Sequence, residues 1–210
     1  MEKLAVGEGR FDTNLPPDLV IKGQEVELKL LDFSHVEGLI EAASSGQLWE
    51  LDYTGVPCPE KMKFMVEDAL DRHQNGKEFP FVVLCAGEVV GTTRYYNLNP
   101  TNRNLSIGYT WYAAKVHRTI VNTECKYLLL KHAFEKINCI SVQWHTDHRN
   151  KRSQEAIKRL GAKFEGVLRN DKIVKGGIIR HTHCFSMLED EWPLSKSYLE
   201  SRMALYVQAK

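Results

Sequence analysis

Apolar residues recur along this chain with two periods, and the points where one period yields to the other mark its elements. The stretch "QEVELKLLD", Gln24 to Asp32, alternates and predicts a strand; "SHVEGLIEAAS" then predicts a helix with Ser34 as its N-cap. Trp49 to Pro59 is aromatic, carries two prolines and predicts a loop. In "PEKMKFMVEDALDRHQNG", Met62, Met65, Val66 and Ala69 share one helical stripe, with Pro59 at its start and Gly76 at its end. "FPFVVLCAGEVVGTTRYYNL" predicts an antiparallel hairpin turned at Ala86-Gly87-Glu88, and "NLSIGYTWYA" a third strand beside it.

The pattern then changes. In "RTIVNTECKYLLLKHAF", Val121, Cys125, Leu128, Leu129 and Ala133, and Ile137 just beyond, follow helical spacing and predict a helix lying on a sheet. "CISVQWHTD" predicts a strand. A second helix begins near Asn150, turns Ala156, Ile157 and Leu160 inward and stops at Gly161. "KFEGVLRN" and "GGIIRHTHCFSML" predict a closing antiparallel pair, and Pro193 to Lys210 a C-terminal helix. An antiparallel front half with a strand–helix–strand–helix unit behind it predicts a mixed α/β sheet. The expected organisation is an N-terminal arm (1–23), one domain (24–192) and a helical tail (193–210).

Composition narrows the function classes. With 210 residues, 43% apolar and 26% charged, the chain suits one packed domain, and a formal charge of +1 argues against a nucleic-acid partner. The longest apolar run, Phe79 to Ala86, is far too short for a membrane span, and the N-terminus has no signal pattern. Five scattered cysteines without a C-x-x-C pair predict reduced thiols in a cytoplasmic protein.

Candidate chemistry gathers at the two helix starts. The first offers Arg118, Thr119, Asn122 and Thr123 beside free backbone N–H groups, which attract phosphate through donors and dipole alike. The second offers Asn150 and Ser153. At both, the same residues could simply cap the helix, and spacing alone leaves that open. Two helix mouths separated by one strand would open on the same sheet edge, where a long phosphorylated ligand could touch both.

The run "SIGYTWY…HRTIVNTECKYLLLKHAFE…ISVQWHTDHRNKRSQEAIKRLGA" resembles the GNAT acyltransferases, and most of all their RimJ/RimL-like branch, over roughly Gln24 to Trp192. The elements "R-T-x-x-N-T-E", "D-x-R-N-x-R-S-x-x-A-I-x-x-L-G-A" and "E-W-P" carry the likeness. It implies a twisted, mostly antiparallel sheet splayed between two central parallel strands, Leu105–Ala113 and Cys139–Thr146, with helices on both faces. It implies acetyl-CoA as cosubstrate in that splay and a primary amine, a protein N-terminus or a small molecule, as acceptor. By the same likeness the cofactor-binding residues are Trp111, Tyr112, His117, Arg118, Thr119, Ile120, Val121, Asn122, Thr123, Asn150 and Ser153.

Several positions depart from the family pattern. The phosphate loop Q/R-x-x-G-x-G/A reads His117-Arg118-Thr119-Ile120-Val121-Asn122, so both glycine positions are filled and side chains must supply the contacts. The tyrosine that many members place seven residues after the asparagine is Ile157, which leaves Ser153 as the thiolate partner and general acid. The glutamate that relatives carry before "IGY" is Ser106, which leaves Asp147, His145 or a water chain as base. Trp49, Tyr53 and Tyr95 are acceptor-cleft candidates that could equally be core aromatics.

Rival readings are a zinc hydrolase, a CoA-binding module without catalysis, and an enzyme using another acyl group such as succinyl. "QWHTDH" approximates a zinc signature but has Gln143 where the first ligand belongs, so no metal is expected. Neither a membrane nor nucleic acid is an expected partner; a homodimer is compatible with the sequence.

Overall fold

The computed structural model describes residues 11, 15–16, 18–50 and 54–208. Its centre is one eight-stranded sheet: β1 (Val20–Lys22), β2 (Val26–Leu30), β3 (Glu78–Cys85), β4 (Glu88–Asn99), β5 (Asn104–Tyr112), β6 (Ser141–Asp147), β7 (Lys163–Val174) and β8 (Ile178–Leu188). The spatial order is β1-β2-β3-β4-β5-β6-β8-β7, and every neighbouring pair is antiparallel except β5–β6. Mixed pairing follows from the connections, since hairpins join antiparallel neighbours and a helical crossover joins the parallel pair.

Among the described residues five α-helices cover the sheet: α1 (Val36–Ser44), α2 (Pro59–Gln74), α3 (Val121–Glu135), α4 (Lys151–Lys158) and α5 (Trp192–Gln208). Strand alternation splits the core in two. Phe79, Phe81 and Val83 of β3 pack with Leu128 and Leu129 of α3, Ile157 and Leu160 at α4, and Trp192 and Leu199 of α5. Val82 and Leu84 face the opposite way, onto Leu39 of α1 and Met62 and Val66 of α2. Leu129 and Leu130 are wholly buried, and each such side chain stabilises the fold by about 1.5–3 kcal/mol.

Some boundaries differ from the sequence expectation. Asp32, not Ser34, caps the first turn, because its carboxylate accepts from the Ser34 N–H at 2.7 Å. The expected N-terminal arm contributes β1, and the C-terminal helix starts at Trp192. Within the expected loop, Leu48–Glu50 forms a short 3-10 turn.

Candidate active site

The parallel pair β5–β6 is short. Pairing runs only from Asn104–Ser106 against Ser141–Gln143, although β5 continues to Tyr112 and β6 to Asp147. Beyond that the strands diverge. A bulge in β5 helps: Gly108 pairs with Arg94 and Trp111 with Thr92, leaving one extra residue on β5, and Tyr109 adopts φ +51°. The opening is a cleft of about 540 Å³ that reaches both helix mouths.

At the first mouth, α3 has no side-chain cap; its N-cap is Ile120, in helical geometry. The Thr119 hydroxyl donates to the Val116 carbonyl at 2.8 Å and accepts from the Val121 N–H at 3.3 Å. The N–H groups of Asn122 and Thr123 have no partner among the described residues. Both residues line the cleft, as do Arg118 and His117. Arg118 is exposed, sits at φ +64° and has no carboxylate within ion-pair distance among the described residues. Free donors, a helix dipole and an unpaired guanidinium are the chemistry that suits an anion. Neither glycine position of the family pattern needs a glycine here, since Ile120 has φ −71° and Asn122 lies inside the helix.

The second mouth is capped by Asn150, whose side-chain oxygen accepts from the Ser153 N–H at 2.9 Å. That leaves the Ser153 hydroxyl with no protein partner among the described residues, on the cleft wall. Arg152 and Arg159 line the same wall without carboxylate partners among the described residues. The cap, which spacing could not assign, falls on Asn150 and leaves the Ser153 hydroxyl uncommitted.

Asp147, a candidate base, does other work. It is 2% exposed and accepts from Arg149 three times: from the backbone N–H at 2.9 Å, from Nε at 3.0 Å and from Nη2 at 2.7 Å. Burial raises its pKa, but the Arg149 hydrogen bonds and charge, with His148, more than offset that and hold it below the usual carboxylate range. A carboxylate held ionised this firmly is a poor base. Its contacts lie in the turn before Asn150, whose N–H donates to the Asp147 carbonyl at 2.9 Å.

His145 is better placed. Its Nδ1 lies 3.1 Å from the Tyr96 hydroxyl, and both residues line the cleft. Ser106, the residue standing where a family glutamate was expected, is wholly buried and is the register partner of Tyr96 across β4–β5. Gly108 makes this arrangement possible: a Cβ there would come within 2.7 Å of the Tyr96 ring. Burial, then the charge of Lys172, pushes the His145 pKa below its ordinary 6.5, so the ring is neutral at pH 7.

Other expected residues fall elsewhere. Tyr95 is wholly buried on the α3 face, its hydroxyl donating to the Leu129 carbonyl at 2.7 Å, and is no part of the cleft. Trp49 packs on the α1–α2 cluster rather than lining the cleft. Tyr53 lies outside the described residues. The Ile120 and Val121 side chains are buried, so only their backbone can face a ligand. Trp111 and Tyr112 do line the cleft. Among the described residues no group of three His, Cys, Asp or Glu side chains could hold a metal, and all five cysteines are free.

Sequence reasoning missed Lys126. It stands one helical turn past Asn122 on the same face of α3, a spacing that could have flagged it. Buried on the cleft, it donates to Thr110 Oγ1 at 2.6 Å and Thr93 Oγ1 at 3.2 Å, and burial pushes its pKa down to about 8. Three buried polar atoms on cleft-lining residues have no hydrogen-bond partner among the described residues: Arg94 Nε, Trp144 Nε1 and Tyr112 Oη, the last packed toward the Cys125 thiol. Buried donors without partners cost stability, and a ligand bearing amide carbonyls would satisfy the Trp144 N–H.

Residues 25–163 match the family model described as acetyltransferase (GNAT) domain. Among solved structures, a protein assigned to the GNAT acetyltransferases of Chromobacterium violaceum is 28% identical, with 92% of this chain and 96% of that chain covered, at a TM-score of 0.81. Mycobacterium smegmatis RimJ, solved with a CoA disulfide, is 19% identical over 89% of this chain and 95% of that one, with a TM-score of 0.75. RimL, a ribosomal L7/L12 α-N-protein acetyltransferase solved with CoA, is 18% identical over 81% and 98%, with a TM-score of 0.70. No curated protein matches the chain. The splayed parallel pair, the two helix mouths on one cleft and the matched domain agree: the chain belongs to the GNAT acetyltransferase family.

Proposed function

We propose that the protein moves an acetyl group from acetyl-CoA directly to a primary amine held in the same cleft, within a ternary complex. The observation that carries this is the continuity of one cleft from the free donors of α3, past the Ser153 hydroxyl, to His145. That RimJ and RimL were solved with CoA species in the same fold supports the ligand. Arg118, Arg152 and the Asn122 and Thr123 N–H groups would hold the phosphates, and the orphaned Trp144 Nε1–H suits the amide-bearing arm.

Acetyl-CoA supplies an activated thioester. The protein's part is to deprotonate, orient and accept charge. In the tautomer whose Nδ1–H donates to the Tyr96 hydroxyl at 3.1 Å, the His145 Nε2 lone pair is free to take a proton from the acceptor ammonium. The neutral nitrogen then attacks the carbonyl carbon, the C–S bond breaks, and the sulfur takes up the electron pair. The Ser153 hydroxyl hydrogen-bonds the sulfur as it gains charge, and the second nitrogen proton ends on it as the free thiol.

Acetyl-CoA binding only to the native state should raise Tm; at a hundredfold excess over Kd the gain is about 2.7 kcal/mol, or roughly 5–10 °C. Release of free thiol with an amine then separates an enzyme from a binding module. No shift with acetyl-CoA in a folded sample would overturn the proposal. Arg118→Ala should weaken acetyl-CoA about ten- to a hundredfold, because a charge-assisted contact is lost, yet leave pantetheine fragments without the pyrophosphate unaffected. Isothermal titration reads both.

The pH profile tests His145. Its surroundings are Tyr96 from β4, Lys172 and Asp171 from β7 and Arg180 from β8; the depressed pKa means the base is lost only as pH falls through a value below 6.5. kcat/KM should therefore hold down to that point and drop on its acid side. His145→Gln should abolish this limb and slow turnover about 10²-fold or more. An unchanged limb in the variant assigns the proton to another group.

A further inference from the structure

The charge of the cleft is more one-sided than acetyl-CoA accounts for. Arg118 and Arg152 belong to the two helix mouths, and Arg159 to the C-terminal end of α4. Arg94 is neutralised by Glu78 at 2.8 Å. Lys126 of α3 is tied down by the Thr93 and Thr110 hydroxyls, which leaves Lys172 and Arg180 on the β7–β8 side of the cleft. They face each other across β7–β8, line the cleft, and have no carboxylate within ion-pair distance among the described residues. Arg180 makes one neutral contact, donating from Nε to Thr182 Oγ1 at 2.9 Å. Both are near enough to His145 for their charge to bear on its ring, alongside the opposing Asp171. Asp171 does not line the cleft, and its carboxylate accepts from the Thr182 hydroxyl at 2.6 Å. Asp147 is the one acidic residue on the cleft among those described, and Arg149 occupies it.

An acceptor arriving as an ammonium ion therefore meets two uncompensated cations beside the base and no free carboxylate. Such a mouth repels polyamines and other polycations. We propose that the acceptor is a primary amine carrying a carboxylate a few bonds from its nitrogen, the carboxylate held by Lys172 and Arg180 while the amine faces His145. Free acidic amino acids and peptides with acidic N-terminal residues share this chemistry. The proposal rests on the acyl-transfer reading above.

Acceptance is read by thiol release from acetyl-CoA with aspartic acid, its diamide, a tetrapeptide beginning Asp-Glu, its Asn-Gln counterpart, and spermidine. Each acid should exceed its amide in kcat/KM by about tenfold or more, the worth of one charge-assisted contact. Lys172→Ala and Arg180→Ala should each erase that preference through KM, and Arg180→Lys should retain part of it. Which acid is preferred, amino acid or peptide, names the source. Equal use of acids and amides, or spermidine as best acceptor, overturns the proposal. Titration of the same acids into CoA-loaded protein separates the two readings. Acid binding that depends on Lys172 and Arg180 without thiol release would sink acyl transfer and uphold the carboxylate site; absence of both overturns both.

Discussion

Ser153→Ala is expected to lower kcat about 10²-fold while leaving acetyl-CoA affinity and folding stability nearly unchanged. The size follows from the leaving group. A free thiol has a pKa of about 8.5, so its thiolate departs with little help, and the low end of the range of about 10²–10⁴ for acid assistance applies. A hydroxyl that hydrogen-bonds sulfur only as charge develops contributes to the transition state and not to ground-state binding, so kcat falls and Kd does not. The stability forecast follows from the cap. Asn150 accepts from the Ser153 backbone N–H at 2.9 Å, and alanine keeps that N–H. Asn150→Ala is the control: it should cost about 1 kcal/mol by removing the cap. Wild-type turnover in the serine variant, or a lowered Tm in it, would reduce Ser153 to a structural residue.

The sequence made the elements legible wherever one face alone is buried. β2 alternates, whereas β3, buried on both faces, was legible instead as a continuous apolar run ended by the Ala86-Gly87 turn before β4. Both helix mouths were visible because polar residues cluster there ahead of apolar stripes. What remained hidden was set by distant contacts. Tyr95 and Tyr96 are neighbours of equal chemistry on β4, and period-two alternation sends one into the α3 core and the other into the cleft. Which goes where depends on register with β3, where Phe79 pairs with Tyr95. Local pattern cannot supply that. The cap told a similar story: Thr119, Asn122 and Thr123 are all good caps by type, yet the N-cap of α3 is Ile120, with no side-chain cap, which keeps two N–H donors free for a ligand. Lys172 and Arg180 join the cleft only through the β6–β8–β7 pairing, long after the family motifs end.

Glu78→Ala is expected to be the most destabilising single change near the cleft, at about 3–5 kcal/mol. Arg94 is 2% exposed and Glu78 4%, and Arg94 Nη1 donates to Glu78 Oε2 at 2.8 Å. Arg72 lies 3.6 Å from the other carboxylate oxygen, so it is a weaker second partner. Removing the carboxylate strands the Arg94 guanidinium in the interior, where its Nε already lacks a partner. The desolvation cost of that charge is then uncompensated, which is why breaking a buried pair costs more than the pair is worth. The Arg94 guanidinium also lies 4.6 Å from the Tyr109 ring centroid, over the residue whose positive φ forms the β5 bulge. Loosening Arg94 should thus reach the cleft, raising the acceptor KM along with the loss of stability. A drop in Tm of about 10 °C fits the energy for a chain of this size. The double variant Glu78→Met, Arg94→Met removes both charges and should recover most of the stability but not the KM, because the ring over the bulge has lost its cation. A loss below about 1 kcal/mol for Glu78→Ala would mean that water reaches the pair and that it behaves as a surface ion pair.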